Sequence, residues 1–431
     1  MAEPLQWQRE GIDKVVGILK EHSAALEASG TGYGKTYVAA FAAKQLGLRA
    51  AVVCPKSVIP AWVRTLEDVG VDYYFVTNYE MLRSTKHERY GGWKIKNRKY
   101  EWRIPRDCVL VFDEVHRCKN YKSQNAKFLR AAREWGGKVL MMSATVAESP
   151  EHMSAIGYAL KLFQEPTHYL SWAWQYGFRK SGFAFEFMGG AAELQAMHAA
   201  IFPDKGHRVR VEDIHGFPEN RVEVVAVPVD NVALYDELMA KLAELEEKRD
   251  RDGFTAEGMT ELLRSRQEAE LLKAPAMADM AIDLVEAGHS VPIFVNFRGT
   301  HELIKQRVHA AGIKFAEIIG GQDTVQRQLE IDSFQSDRAR VMVSMIQAGG
   351  VGIDLHDTHG HHSRVSLISP GFAAVELKQA LGRSCRAGGK TKTIQRICFA
   401  ADTIEEKIRW AVKNKLDRMD TINDGDLAPP R

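Results

Sequence analysis

The 431-residue sequence has only five cysteines, Cys54, Cys108, Cys118, Cys385 and Cys398, and no two of them form a CxxC pair. An odd count without paired spacing argues against a zinc ribbon and a disulfide framework, and it fits a reducing, cytoplasmic setting. No apolar run approaches the ~18 residues of a membrane span, and the opening MAEPLQWQREG is polar and acidic, so neither a signal peptide nor a membrane partner is expected. Charge of one sign is missing too: 58 Lys and Arg face 56 Asp and Glu, for a net charge of +2. Any nucleic-acid site must therefore come from local charge segregation. What remains is ordinary globular composition, 45% hydrophobic and 26% charged, in a length that suits about two or three domains.

Short apolar runs rich in Val and aromatics stand at 50–54, 72–76, 108–112 and 138–142, and again at 291–295, 315–319, 340–344 and 364–368. Runs of this kind read as strands buried on both faces of a parallel sheet, and the helical stretches between them give an α/β, doubly wound reading. Residues 151–215 break the alternation with an aromatic-rich stretch that includes Tyr169, Trp172, Trp174, Tyr176, Phe178, Phe183, Phe185 and Phe187. Residues 232–273 read as charged helices. The expected organisation is one α/β lobe over 1–220, a second over 221–420 with a helical protrusion near 232–273, and a tail over 421–431.

Residues 29–36, SGTGYGKT, lie after a helical segment and before another. Gly30, Gly32 and Gly34 let a backbone turn tightly so that its N–H groups cradle phosphates. Lys35 would reach the β- and γ-phosphates of ATP, and Thr36 would ligate Mg²⁺. Ser29 stands where GxxxxGKT usually has its first glycine, a small residue that should be tolerated. Downstream, VLVFDEVH is a buried strand ending in two acids: Asp113 can hold Mg²⁺, and Glu114 can orient and deprotonate the attacking water. In QALGRSCR, Arg383 and Arg386 share a helix face if this stretch is helical, and such a pair suits charge stabilisation on a transferring phosphoryl group. Each signal alone has a bland alternative, a solvated turn or a solvated basic helix end.

The order of the segments resembles the superfamily-two helicases and translocases, most closely the Swi/Snf-type ATPases in a compact, phage- or virus-like form. PLQWQREG looks like the family's opening segment, VVCPKSVIPAW like motif Ia, and VTNYEML like the strand that follows. VFDEVHRCKN is very close to motif II; HRVRVEDIHGFPEN resembles the segment closing the first lobe. VPIFVNF looks like motif IV, SMIQAGGVGIDL like motif V and QALGRSCRAGGK like motif VI. The resemblance implies two RecA-like lobes, ATP and Mg²⁺ as cofactors, and a monomer working on duplex or branched DNA. It also implies Gln8 as adenine reader, Gly352 and Asp354 near the ribose, His116, Ser143, Thr145 and Gln379 as coupling residues, and Lys56 on nucleic acid. Motif III reads SATV, the helicase spelling, where Swi/Snf-type proteins usually show a TGTP-like run, which favours a compact DNA motor over a chromatin remodeller. The alternatives are an RNA helicase, disfavoured by the motif II and VI spellings, and an ATP-gated DNA clamp or loader. A small-molecule P-loop kinase would leave a second lobe with its own arginine pair without a role.

Segment 83–106 carries nine Lys and Arg against two Glu, an excess of seven in a chain whose net charge is +2. Its alternation predicts a hairpin turning at Asn97-Arg98, with Trp93 opposite Trp102 and Ile95 opposite Tyr100 on an aromatic face. Lys94, Lys96, Lys99 and Arg103 then form a basic face suited to a DNA backbone, against the bland reading of a solvated basic loop. His356, His359, His361 and His362 have spacing that zinc can use, but no Cys or acidic pair accompanies them, so a polar loop is expected. The aromatic stretch over 163–187 is expected to form a small core rather than a base-stacking platform.

Overall fold

The computed structural model describes residues 2–84, 90–94, 99–146, 150–181, 184–252, 256–346, 353–370 and 374–401. The chain divides into two compact units, Met1–His215 with Lys415–Arg431, and Gly216–Asn414.

The first unit begins with α1 (Gln6–His22), β1 (Ala24–Glu27), α2 (Lys35–Gln45), β2 (Arg49–Cys54), α3 (Ile59–Val69), β3 (Tyr73–Asn78) and α4 (Tyr79–Arg83). A small hairpin follows, β4 (Gly91–Lys94) and β5 (Lys99–Trp102), then β6 (Cys108–Asp113), α5 (Gln124–Trp135) and β7 (Lys138–Met142). The unit ends with α6 (Ser154–Ala159), α7 (Tyr169–Gln175), a second hairpin of β8 (Phe178–Ser181) and β9 (Ala184–Phe187), α8 (Ala191–Ala199) and β10 (Gly206–His207). Six strands form one sheet in the order β10-β1-β7-β6-β2-β3, with every pair parallel. The runs read as buried strands are buried: in β6 all residues but the terminal Asp113 are in the core. Parallel pairing requires crossover connections, which the helices supply. The order places the C-terminal ends of β1, β7 and β6 side by side, and those ends carry SGTGYGKT, SATV and DEVH.

One local expectation is corrected. The phosphate-loop segment follows a strand, β1, and not a helix directly. AALE is four residues of good helix formers, so only its pairing with β7 and β10 reveals it as strand. The end of the aromatic-rich stretch also supplies β10 to the main sheet. Within that stretch Tyr169, Trp172 and Phe178 are buried in the core of the first unit, while Trp174 stays half exposed.

The second unit comprises β11 (Asn220–Val227), α9 (Val232–Asp252), α10 (Ala256–Glu286), β12 (Val291–Val295), α11 (Arg298–Ala310), β13 (Phe315–Ile318), α12 (Thr324–Gln335), β14 (Val341–Met345), β15 (Arg364–Ile368), α13 (Ala374–Leu381) and β16 (Thr393–Ala400). Its sheet runs β11-β16-β15-β12-β14-β13, again all parallel. Strands β12 and β15 are buried throughout. The charged helices α9 and α10 bury a small core of their own, with Tyr235, Leu238, Met239, Leu242 and Leu262. Among the described residues no helix is long and apolar enough to cross a membrane. All five cysteines are buried.

Candidate active site

The phosphate loop is held from below by a buried polar set. Glu27, fully buried at the end of β1, accepts the Ser29 N–H at 2.9 Å and lies 2.7 Å from His207 Nδ1. Ser29 does more than tolerate a position usually given to glycine: its hydroxyl accepts the Val209 N–H at 3.1 Å, tying the loop to the segment after β10. The Gly30 N–H donates to the Val209 carbonyl at 3.0 Å. Gly34 caps α2 with φ +91°, a conformation that favours glycine, and a Cβ there would overlap the Gln8 amide. Gln8 is buried; its Nε2 donates to the Tyr33 carbonyl at 3.1 Å and its Oε1 accepts the Leu5 N–H at 3.0 Å. Gln8, which the resemblance gives as adenine reader, thus braces the phosphate loop.

Lys35 Nζ donates to the carbonyls of Ser29 at 2.8 Å and Gly30 at 3.0 Å. Burial pushes its ammonium down to about 8, against the opposing pull of Glu114 and Glu27. Arg208, whose guanidinium donates to the Ala28 and Ala144 carbonyls, adds to the depression. Lys35 therefore still carries its charge near neutral pH.

The motif II acids stand at the tip of β6. Asp113 Oδ1 accepts the Glu114 N–H at 2.9 Å, and Oδ2 accepts the indole N–H of Trp62 at 2.8 Å. Burial, then the neighbouring Glu114 charge, raises the Asp113 carboxyl to about 6. Glu114 has φ +53° and ψ +52°, a left-handed conformation that costs a non-glycine residue energy and recurs where a side chain must be aimed. Its Oε2 lies 3.2 Å from His116 Nδ1, which also lies 3.0 Å from the Ser143 hydroxyl. Ser143 donates to the Thr145 carbonyl at 3.0 Å and accepts the Thr145 N–H at 3.2 Å. The structure thus links His116, Ser143 and Thr145 by hydrogen bonds, with Glu114 close to the same His116 nitrogen.

A buried carboxylate whose proton affinity is raised gains from a nearby cation, and a carboxylate with a hydroxyl is a hard oxygen set of the kind Mg²⁺ prefers. The residues read as its ligands supply that chemistry, the Asp113 carboxylate at the tip of β6 and the hydroxyl of half-buried Thr36 in the first turn of α2.

In the second unit, Arg386 Nε lies 2.8 Å from Asp354 Oδ1, and its Nη2 donates to the Ile353 carbonyl at 3.3 Å. Arg383 is buried just after α13, which also buries Gln379, and the Arg383 carbonyl accepts the Leu355 N–H at 3.0 Å. The segments read as motifs V and VI are therefore bonded to each other. Gly352 lies outside the described residues. The histidine loop is organised by Asp357, which accepts the N–H groups of His359 and Gly360 and the Thr391 hydroxyl. Among the described residues no group of three or more His, Cys, Asp and Glu side chains is placed to hold a metal ion.

The basic segment does form an antiparallel hairpin, but its register differs from expectation by two residues: Trp93 pairs with Tyr100 and Lys94 with Lys99. Gly91, opposite Trp102, explains the choice, because a Cβ there would strike the Tyr100 ring, so the ring packs across a glycine. Tyr100, Trp102 and Ile104 are buried; Tyr100 meets Phe128 edge-on at 4.7 Å, and the Trp102 indole donates to the Phe128 carbonyl at 2.9 Å. Lys99 is exposed and lies 3.7 Å from Glu134. Lys96 and the Asn97-Arg98 turn, like the side chain of Lys94, lie outside the described residues. Arg103 lies beside Gly92, and Lys56 is exposed at the start of the turn leading into α3.

Residues 273–388 match the Helicase conserved C-terminal domain family. A protein of Acanthamoeba polyphaga mimivirus, named as an ATP-dependent RNA helicase, is 32% identical over 461 residues, covering 99% of this chain and 84% of its own. The chain belongs to the ATP-dependent helicase family of that relative. The zebrafish chromodomain-helicase-DNA-binding protein 1-like is 22% identical over 485 residues, 96% of this chain and 43% of its own. Among solved structures, the Sulfolobus solfataricus SWI2/SNF2 ATPase core in complex with dsDNA aligns with a TM-score of 0.42 at 18% identity, over 99% of this chain and 94% of that one. Sequence reasoning named the motif residues but missed Trp62, Tyr79, Glu27, His207 and Arg208. Trp62, Tyr79, His207 and Arg208 lie inside quoted motif segments, though none was singled out; Glu27 carries no local signal, because it meets His207 across 180 residues.

Proposed function

We propose that this helicase-family ATPase hydrolyses ATP to move along duplex or branched DNA. The observation that carries the reading is the arrangement in the first unit, where the SGTGYGKT loop after β1, SATV after β7 and the DEVH acids at the end of β6 follow neighbouring parallel strands. In this reading the units act as lobes over 1–220 and 221–420. Gly30, Gly32, Gly34 and Lys35 cradle the phosphates, and Thr36 and Asp113 hold Mg²⁺, which when bound neutralises charge between the β- and γ-phosphates. Glu114 orients and deprotonates water, and His116, Ser143, Thr145 and Gln379 relay the state of the site. Arg383 and Arg386 stabilise the transferring phosphoryl group, Gly352 and Asp354 lie by the ribose, and Gln8 serves the adenine end.

DNA as the track is supported by the zebrafish relative, whose name includes DNA binding. It is also supported by the β4–β5 hairpin, whose aromatic face is packed into the core while Lys99 is exposed. The mimivirus relative's name favours a second reading, an RNA helicase. Changing Lys94, Lys96, Lys99 and Arg103 together to alanine tests the DNA reading at the hairpin. Each lost phosphate contact should flatten the salt dependence of duplex binding by about 0.9 in log–log slope. ATP hydrolysis without nucleic acid should be unaffected, because the nucleotide residues are untouched. Unaltered duplex affinity and slope, measured by fluorescence anisotropy, would reject the hairpin as a DNA grip.

A further inference from the structure

We propose that Trp62 and Tyr79 are positioning residues that clamp Asp113 from its two ends; the inference rests on the ATPase reading above. The Trp62 indole donates to Asp113 Oδ2 at 2.8 Å, and the Tyr79 phenol donates to the Asp113 backbone carbonyl at 2.7 Å. Both aromatic side chains are buried, at 1% and 0% exposure, so neither bond competes with bulk water. With the Glu114 N–H on Oδ1, the carboxylate is bonded at both oxygens and its plane is fixed. The second bond acts on the peptide that enters the left-handed turn at Glu114, so Tyr79 also holds the geometry that aims the base.

The two donors come from different places for a topological reason. Strands β6, β2 and β3 are neighbours in the sheet, and the chain leaves β2 toward α3 and β3 toward α4. Trp62 reaches from α3 and Tyr79 opens α4, where Asn78 caps the helix by accepting the Met81 N–H at 2.8 Å. The acid that would hold the metal is thus wired to the segments after two adjacent strands, one of which begins with Lys56. A shift of either segment is felt at Asp113 as a lost or bent hydrogen bond.

The test uses the full chain with Trp62→Phe and Tyr79→Phe. Thermal melting is recorded first, and Tyr79→Phe, which removes a single hydroxyl, decides the matter where Trp62→Phe does not fold. Two readouts follow: Mn²⁺ binding in the presence of ADP, by electron paramagnetic resonance, and the Mg²⁺ dependence of ATP hydrolysis. Removing a hydrogen-bond partner of a metal-holding group characteristically costs about 10–100-fold in metal affinity or activity. The expected result is metal binding weakened at least tenfold and a higher Mg²⁺ half-saturation, with metal-free ADP affinity in EDTA unchanged. Folded variants that bind Mn²⁺·ADP as the parent does would overturn the clamp. Absence of ATP hydrolysis in the parent would instead refute the ATPase reading, and the Mn²⁺ arm would still decide whether Trp62 and Tyr79 act on a metal site.

Discussion

Glu114→Gln is expected to abolish most ATP turnover while leaving ATP and Mg²⁺ binding close to parental. Glutamine keeps the size and the N–H that bonds Asp113 Oδ1, so the carboxylate geometry survives. What goes is the oxygen that can take a proton from water, together with the charge that lies 3.2 Å from His116. Loss of a general base typically costs about 10²–10⁴-fold in rate, or roughly 3–5 kcal/mol in barrier at 1.36 kcal/mol per decade. Lys35→Ala should behave differently. Its ammonium, which bonds the Ser29 and Gly30 carbonyls, is the cation proposed for the phosphates, so binding and turnover should both fall. Steady-state kinetics with isothermal titration of nucleotide separate the two. A Glu114→Gln protein that hydrolyses ATP at the parental rate would show the motif II assignment to be wrong.

Arg386→Ala should lower kcat by about 10³-fold or more, the range for an arginine acting on a phosphoryl transition state, with little change in nucleotide affinity. The structure gives this arginine a partner, Asp354, at 2.8 Å, and a backbone carbonyl at Ile353. The pair is only partly solvated, with Asp354 56% and Arg386 20% exposed, so thermal melting of the variant separates a change in kcat from lost folding stability. Equal kcat in parent and variant, measured at saturating ATP, would remove Arg386 from the site.

The strands that the sequence displays are the doubly buried ones. Runs such as CVLVFD and VPIFV are apolar throughout because both faces of a parallel sheet are covered, and they lie where expected. The strands that escaped have other physical reasons for being there. AALE in β1 reads as helix and is held as strand by pairing with β7, while its one charge, Glu27, is made tolerable by His207, 180 residues away. NRVEVVAV in β11 is an edge strand with Val222 and Val224 exposed, so its apolar positions do not follow one buried face. At the site, the sequence offered candidates because phosphate binding and water activation demand particular residue types at fixed spacing. Their supports were not. Nothing in PKSVIPAW says that Trp62 ends on Asp113, since that contact exists only once α3 is laid beside β6. The hairpin was legible in its faces but not in its register, because the fit of Tyr100 across Gly91 depends on packing.

The central claim is tested most directly by ATP hydrolysis rates measured side by side with single-stranded, duplex, forked and four-way DNA and with RNA, at one salt concentration. A motor driven by its DNA track should be stimulated most by duplex or branched DNA, and the stimulation should disappear in Glu114→Gln. Stimulation by RNA alone, or rates indifferent to every polynucleotide, would contradict it.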